Sequence, residues 1–267
     1  MPTHRGPLLG AALVLLLAPV AGPEAQVNSG ETDYRLERED LGIRRALPFR
    51  VGEHHEFEVH FGRIRAGSAQ LTVTGQEMVR GVETMRFDFT VRGGIPFARV
   101  NNRMSSWSEV RPFRTLRFEQ DLDEVGTERY RRFEIYPEAR QVRLAHNGNS
   151  AERLPSALPL DDVSFLYYAR TLPLEVGDRY YLPHYFRDSG NPVVLEVLRK
   201  DEVSVPAGRY STIVVRPTFQ TSGLFGEGGE AEIHFSDDAS RVVVKVTSRV
   251  SRIGSLHLNL ARDPRLP

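Results

Sequence analysis

Val205 to Leu260 reads VPAGRYSTIVVRPTFQTSGLFGEGGEAEIHFSDDASRVVVKVTSRVSRIGSLHLNL, and this stretch decides the fold class. Four runs alternate apolar and polar residues, with turn residues between them at short intervals. That pattern predicts a meandering antiparallel sheet. Ala231, Ile233 and Phe235 point one way, Glu232 and His234 the other. Leu256, Leu258 and Leu260 repeat the pattern against Ser255, His257 and Asn259. Successive strand side chains point to opposite faces, so each run has one face to bury.

The same alternation extends back through the chain. Phe57, Val59 and Phe61 alternate with Glu56, Glu58 and His60, and Gly62 to Ala66 reads as a turn. Ala69, Leu71 and Val73 form the next inner face, followed by Met85, Phe87, Phe89 and Val91. Gly93-Gly94-Ile95-Pro96-Phe97 breaks the pattern as a glycine-proline loop, and strands resume from Met104. One helix stands out, Asp161 to Thr171. Asp161 is placed to cap its first turn, Asp162 suits the positive end of its dipole, and Pro173 stops it. Val163, Phe165, Leu166, Tyr167 and Tyr168 make it apolar on more than one side, so it is expected to be covered twice or to flank a cavity. The expected fold is mainly β: a large, strongly curved antiparallel sheet or open barrel of about 11–13 strands. One main helix packs at its concave side.

The amino terminus predicts the compartment. His4 and Arg5 precede an apolar run from Leu8 to Val20, and small residues follow at Ala21, Gly22 and Ala25. This is the layout of a secretory signal peptide, and the run falls short of the roughly 20 residues of a membrane span. Residues 1–25 are therefore expected to be a signal peptide and 26–47 a polar lead-in. Residues 48–262 are expected to form a single β domain, and 263–267 a tail. The chain has no cysteine, which excludes both a lipid-modified cysteine and a disulfide framework. Lys and Arg total 35 against 35 for Asp and Glu, which gives no basic surface for nucleic acid. The expectation is an exported, periplasmic, soluble protein without a transmembrane anchor after cleavage.

No stretch spells out a reaction. His54, Glu56, Glu58 and His60 share a strand face, but alternate strand residues lie about 6.5–7 Å apart, too far to gather on one ion. The acidic groups at Asp121/Asp123/Glu124, Asp161/Asp162 and Asp237/Asp238 have simpler work as turn and cap residues. No catalytic residue, metal ligand or cofactor is assigned. The unusual residues are apolar side chains in glycine loops. Leu224 and Phe225 lie in a Gly-rich stretch, as do Ile95 and Phe97. With Phe165, Tyr167 and Tyr168 of the helix they are the candidate rim and lid of a hydrophobic ligand site.

Several motifs, taken in order, resemble an exported bacterial family. They are Pro48-Phe49-x-Val51-Gly52-Glu53, the Gly62–Gly67 hairpin, Ser164-Phe165-x-Tyr167-Tyr168-x-Arg170 and Val176-Gly177-Asp178. Val205-Pro206-Ala207-Gly208, Gly223-x-Phe225, and Asp237-Asp238 through Gly254-Ser255 continue the series. The family is domain of unknown function 3108, and the resemblance runs from Phe49 to Leu260. It implies a periplasmic, largely β protein and supplies no activity or site residues. The architecture is also similar to that of periplasmic lipoprotein carriers, which shield acyl chains in a curved half-barrel. The expected role is non-enzymatic binding of a lipid or lipid-like envelope component. The alternatives are an envelope interaction protein that binds protein or glycan, and a hydrolase of cell-wall or polysaccharide substrates.

Overall fold

The structure, a computed structural model, describes residues 46–95, 98–124, 126–145, 151–220, 230–250 and 254–264. The chain first lays down β1 (His54–Phe61), β2 (Ile64–Val79), β3 (Val82–Ile95), β4 (Ala98–Val110) and β5 (Phe113–Glu124). β6 (Thr127–Tyr136), β7 (Gln141–Leu144) and β8 (Ala151–Arg153) follow, then the helix α1 (Asp162–Thr171). The second half holds β9 (Arg179–Leu182), β10 (Val193–Val205), β11 (Gly208–Thr218), β12 (Glu230–Ser236), β13 (Val243–Val250) and β14 (Gly254–Arg262). All 14 strands belong to one curved antiparallel sheet that does not close, in the order β8 through β1, then β14 back to β9. The first and last strands therefore pair in the middle of the sheet, with Phe57 opposite Leu260 and Val59 opposite Leu258. The two free edges, β8 and β9, flank the helix in the chain.

Segment 154–160 helps to span that gap. Thr115 N–H donates to the Pro159 carbonyl at 2.7 Å, and Leu160 N–H donates to His184 at 2.6 Å. Phe186 N–H returns the bond to Leu160 at 2.9 Å. The chain then enters α1 on the inner face of the sheet, against β3, β4 and β5.

The helix begins as its residues dictate. The Asp161 carboxylate accepts from Val163 N–H at 2.8 Å and Ser164 N–H at 3.0 Å. Ser164 Oγ accepts from Asp161 N–H at 2.8 Å, which completes a reciprocal capping box. The same carboxylate also accepts from Ser106 Oγ at 2.5 Å and Thr115 Oγ1 at 2.7 Å, so the cap is bolted to β4 and β5. Farther along, the Tyr167 ring stacks on Phe87 at 4.1 Å, and Tyr168 meets Phe113 edge-on at 5.6 Å. Aromatic side chains of this kind bury about 150–250 Å2 each, and they fix the helix to the sheet.

Two differences from the sequence reading have physical causes. The expected Gly93-Gly94 loop is strand: β3 continues to Ile95, and Gly93 pairs with Gly67 of β2. A Cβ on Gly93 would lie 2.1 Å from the Ala66 carbonyl oxygen, and one on Gly67 would lie 2.2 Å from that of Arg92. The glycines permit close approach of two strands rather than a turn. His234, expected on an open face, is 3 % exposed. Burial, and next the charge of Lys245, lowers its pKa to about 4.

Candidate functional site

Inner-face residues from both halves of the sheet converge under α1. β1 and β2 contribute Phe57, Val59 and Leu71; β3 and β4 contribute Phe89, Val91 and Met104. From the other half come Ile233 of β12, Val246 of β13 and Leu258 of β14, while α1 closes the space with Val163, Phe165 and Leu166. They leave a cavity of about 60 Å3. A single water needs roughly 10–15 Å3, but an apolar cavity offers water no partners. Pockets that enclose a drug-sized ligand span about 300–1,000 Å3. This one has room for the end of an apolar chain, not for a whole lipid.

Among the described residues Asp162 is the one charged residue on the cavity wall. Its carboxylate accepts from Tyr185 Oη at 3.0 Å. Burial, and next the neighbouring Asp161 carboxylate, push its pKa up to about 7. Burial likewise outweighs the four donors to Asp161 and raises that carboxyl above the usual range.

The sequence-selected residues fall in three places. Phe165 is on the cavity wall, edge-to-face with Phe219 at 5.1 Å. Tyr167 and Tyr168 turn into the aromatic core beside it. Ile95 ends β3, and Phe97, Leu224 and Phe225, like the side chain of Ile95, lie outside the described residues. Alternation identified the inner faces holding Phe57, Leu71, Phe89, Ile233 and Leu258. It could not show which of these positions stay unfilled, because that depends on pairing between opposite ends of the chain. His54, Glu56, Glu58 and His60 are tied to one another, His54 to Glu56 at 3.3 Å and His60 to Glu58 at 3.1 Å.

A buried ion pair lies at the other end of the helix. Arg170 Nη1 donates to Glu53 Oε1 at 2.6 Å, and Nη2 donates to Oε2 at 3.0 Å. Nη2 also donates to the carbonyls of Pro48 at 3.0 Å and Ser240 at 2.9 Å. The pair joins the entry to β1, the helix C-terminus and the β12–β13 turn. His55 is buried alongside, and burial, then the Arg170 guanidinium, hold its pKa well below the ordinary value. Sequence periodicity gave no sign of this pairing, because its partners are 117 residues apart.

No curated protein matches the chain. A β-barrel-like protein of domain of unknown function DUF1849 from Brucella abortus has a similar fold, with a TM-score of 0.50 at 10% identity. The match covers 80% of this chain and 97% of that one. A protein with a YmcC-like fold from Bacteroides fragilis overlaps more loosely, with a TM-score of 0.30 at 10% identity, over 81% of this chain and 97% of that one. Among the described residues no helix is long and apolar enough to cross a membrane. The model of the family described as protein of unknown function, DUF3108, matches residues 56–260, and the chain belongs to that family.

Proposed function

We propose that this protein is an exported, non-enzymatic binder of a lipid or lipid-like component of the cell envelope. In this reading it holds the end of an apolar chain under α1, on the concave face of an open β-sheet. The observation that carries the reading is the apolar cavity, whose walls come from both halves of the sheet and from the helix. Burying methylenes there contributes about 0.8 kcal/mol each, so the few that fit supply part of the affinity and the rest of the ligand must be bound outside the cavity. The signal-peptide pattern of residues 1–25 supports export to the periplasm, where such chains need shielding from water.

Cavity filling tests the reading. Val246→Phe enlarges a wall residue inward from β13, and Leu166→Trp does so from the helix. Both variants are expected to abolish uptake of a fluorescent fatty-acyl probe that the unaltered protein binds, while keeping a cooperative thermal transition. Undiminished uptake in both variants, or no uptake by the unaltered protein, would remove the proposal.

A further inference from the structure

We infer that the ligand is an anionic amphiphile, its chain end in the cavity and its charged head received by Arg131 and Arg187; this rests on the cavity reading above. Along β6 the inward-facing residues change character, from buried Ile135 and Phe133 to half-buried Arg131 and Arg129. A cleft of about 230 Å3 lies there, with Arg131 and Arg187 beside Phe133, Phe186 and Leu144. Glu152, exposed at its rim, is the one carboxylate in the lining among the described residues.

Charge pairing separates these two arginines from most half-buried arginines of the sheet; Arg140, also half-buried, donates instead to the Pro155 carbonyl at 3.0 Å. Arg80, Arg117 and Arg132 all pair with Glu134; Arg199 and Arg216 pair with Glu232; Arg129 pairs with Glu124 at 3.2 Å. Among the described residues neither Arg131 nor Arg187 has a carboxylate within 4.0 Å. Burial, then the nearby charges of Arg129 and Arg187, lower the pKa of Arg131. Half-buried guanidinium groups that repel each other destabilise the free protein and favour an arriving anion.

Register connects this cleft to the cavity. Met104, on the cavity wall, pairs with Gln120 of β5, and Gln120 pairs with Arg131 of β6. Directly paired residues share a face of the sheet. Two inter-strand steps of about 4.7–4.9 Å place the basic cleft about 10 Å from the cavity wall. Phe133 and Phe186 make the wall of the cleft beside the arginines apolar. A carboxylate, sulfate or phosphate head on a single alkyl chain fits that sequence of surfaces.

The test compares dodecanoate, dodecyl phosphate and uncharged dodecanol, each below its aggregation concentration, by calorimetric titration of the exported protein. Both anions are expected to bind at least tenfold more tightly than dodecanol, with an advantage that shrinks as salt is raised. Whichever anion binds more tightly identifies the head-group chemistry. Combining Arg131→Gln with Arg187→Gln is expected to bring the anions down to the dodecanol affinity and leave dodecanol unchanged. Equal binding of all three ligands, or a preference that survives in the double variant, overturns the charged-head inference and leaves the cavity reading standing. Failure of all three to bind removes both. Should the double variant not fold, the ratio and its salt dependence in the unaltered protein decide the matter alone.

Discussion

The Arg170 side chain has no solvent contact, and the bidentate Glu53 carboxylate makes that burial tolerable. Arg170→Met would leave Glu53 buried without its partner and should cost about 3–5 kcal/mol, measured by urea unfolding. Adding Glu53→Gln to the same chain should return part of that loss; no recovery would mean the pair is not what fixes the helix end. Titration gives a second residue-scale prediction. In the folded protein Asp162 holds its proton up to about 7, whereas unfolded it lets go near the ordinary 3.8. Its contribution is therefore complete below pH 3.8 and lost as pH rises through 7. His184 and His234 act in the opposite direction. Burial lowers both to about 4, so stability falls as pH drops from 6.5 toward 4. Asp162→Asn should be more stable than the unaltered protein at pH 8, by up to about 4 kcal/mol at roughly 1.4 kcal/mol per pKa unit. The gain should vanish at pH 4. An equal effect at both pH values would show that the carboxyl does not titrate as described.

Elements differ in how plainly the sequence announces them. α1 was legible from Asp161, Pro173 and the apolar run between them, because capping and termination are local chemistry. Its position was not. Ser106 and Thr115, which hold the Asp161 cap to the sheet, look like ordinary strand residues and acquire that role only through tertiary pairing. The β2–β3 pair shows the reverse failure. Gly93-Gly94 carries the local signature of a loop, yet the backbone runs straight through it because Gly67 lies opposite. Gly93→Ala tests this directly. Its Cβ would lie within 2.6 Å of the Gly67 Cα and closer still to the Ala66 carbonyl, so the strands must separate. A loss of about 3 kcal/mol or more in chemical denaturation is expected. A neutral substitution would mean that the two strands do not approach so closely.

At the scale of the whole molecule, the pairing of β1 with β14 makes one continuous inner surface from two halves of the chain. Alternation showed which residues belong on that surface, Phe57, Leu71, Phe89, Ile233 and Leu258 among them. The cavity arises because a ten-residue helix fills only part of the concavity, an outcome of curvature and strand order that no local window contains. Of the rim residues chosen from the glycine loops, Ile95 ends β3 and Phe97, Leu224 and Phe225 lie outside the described residues, so the site is defined by its floor and by α1. A diazirine-bearing fatty acid probes it most directly, by photolabelling the protein and mapping the labelled peptides by mass spectrometry. Label is expected on Met104 of β4, Val246 of β13 and Leu166 of α1. Label confined to exposed positions such as Ile64 and Met78, or no label at all, would contradict binding of an apolar chain beneath the helix.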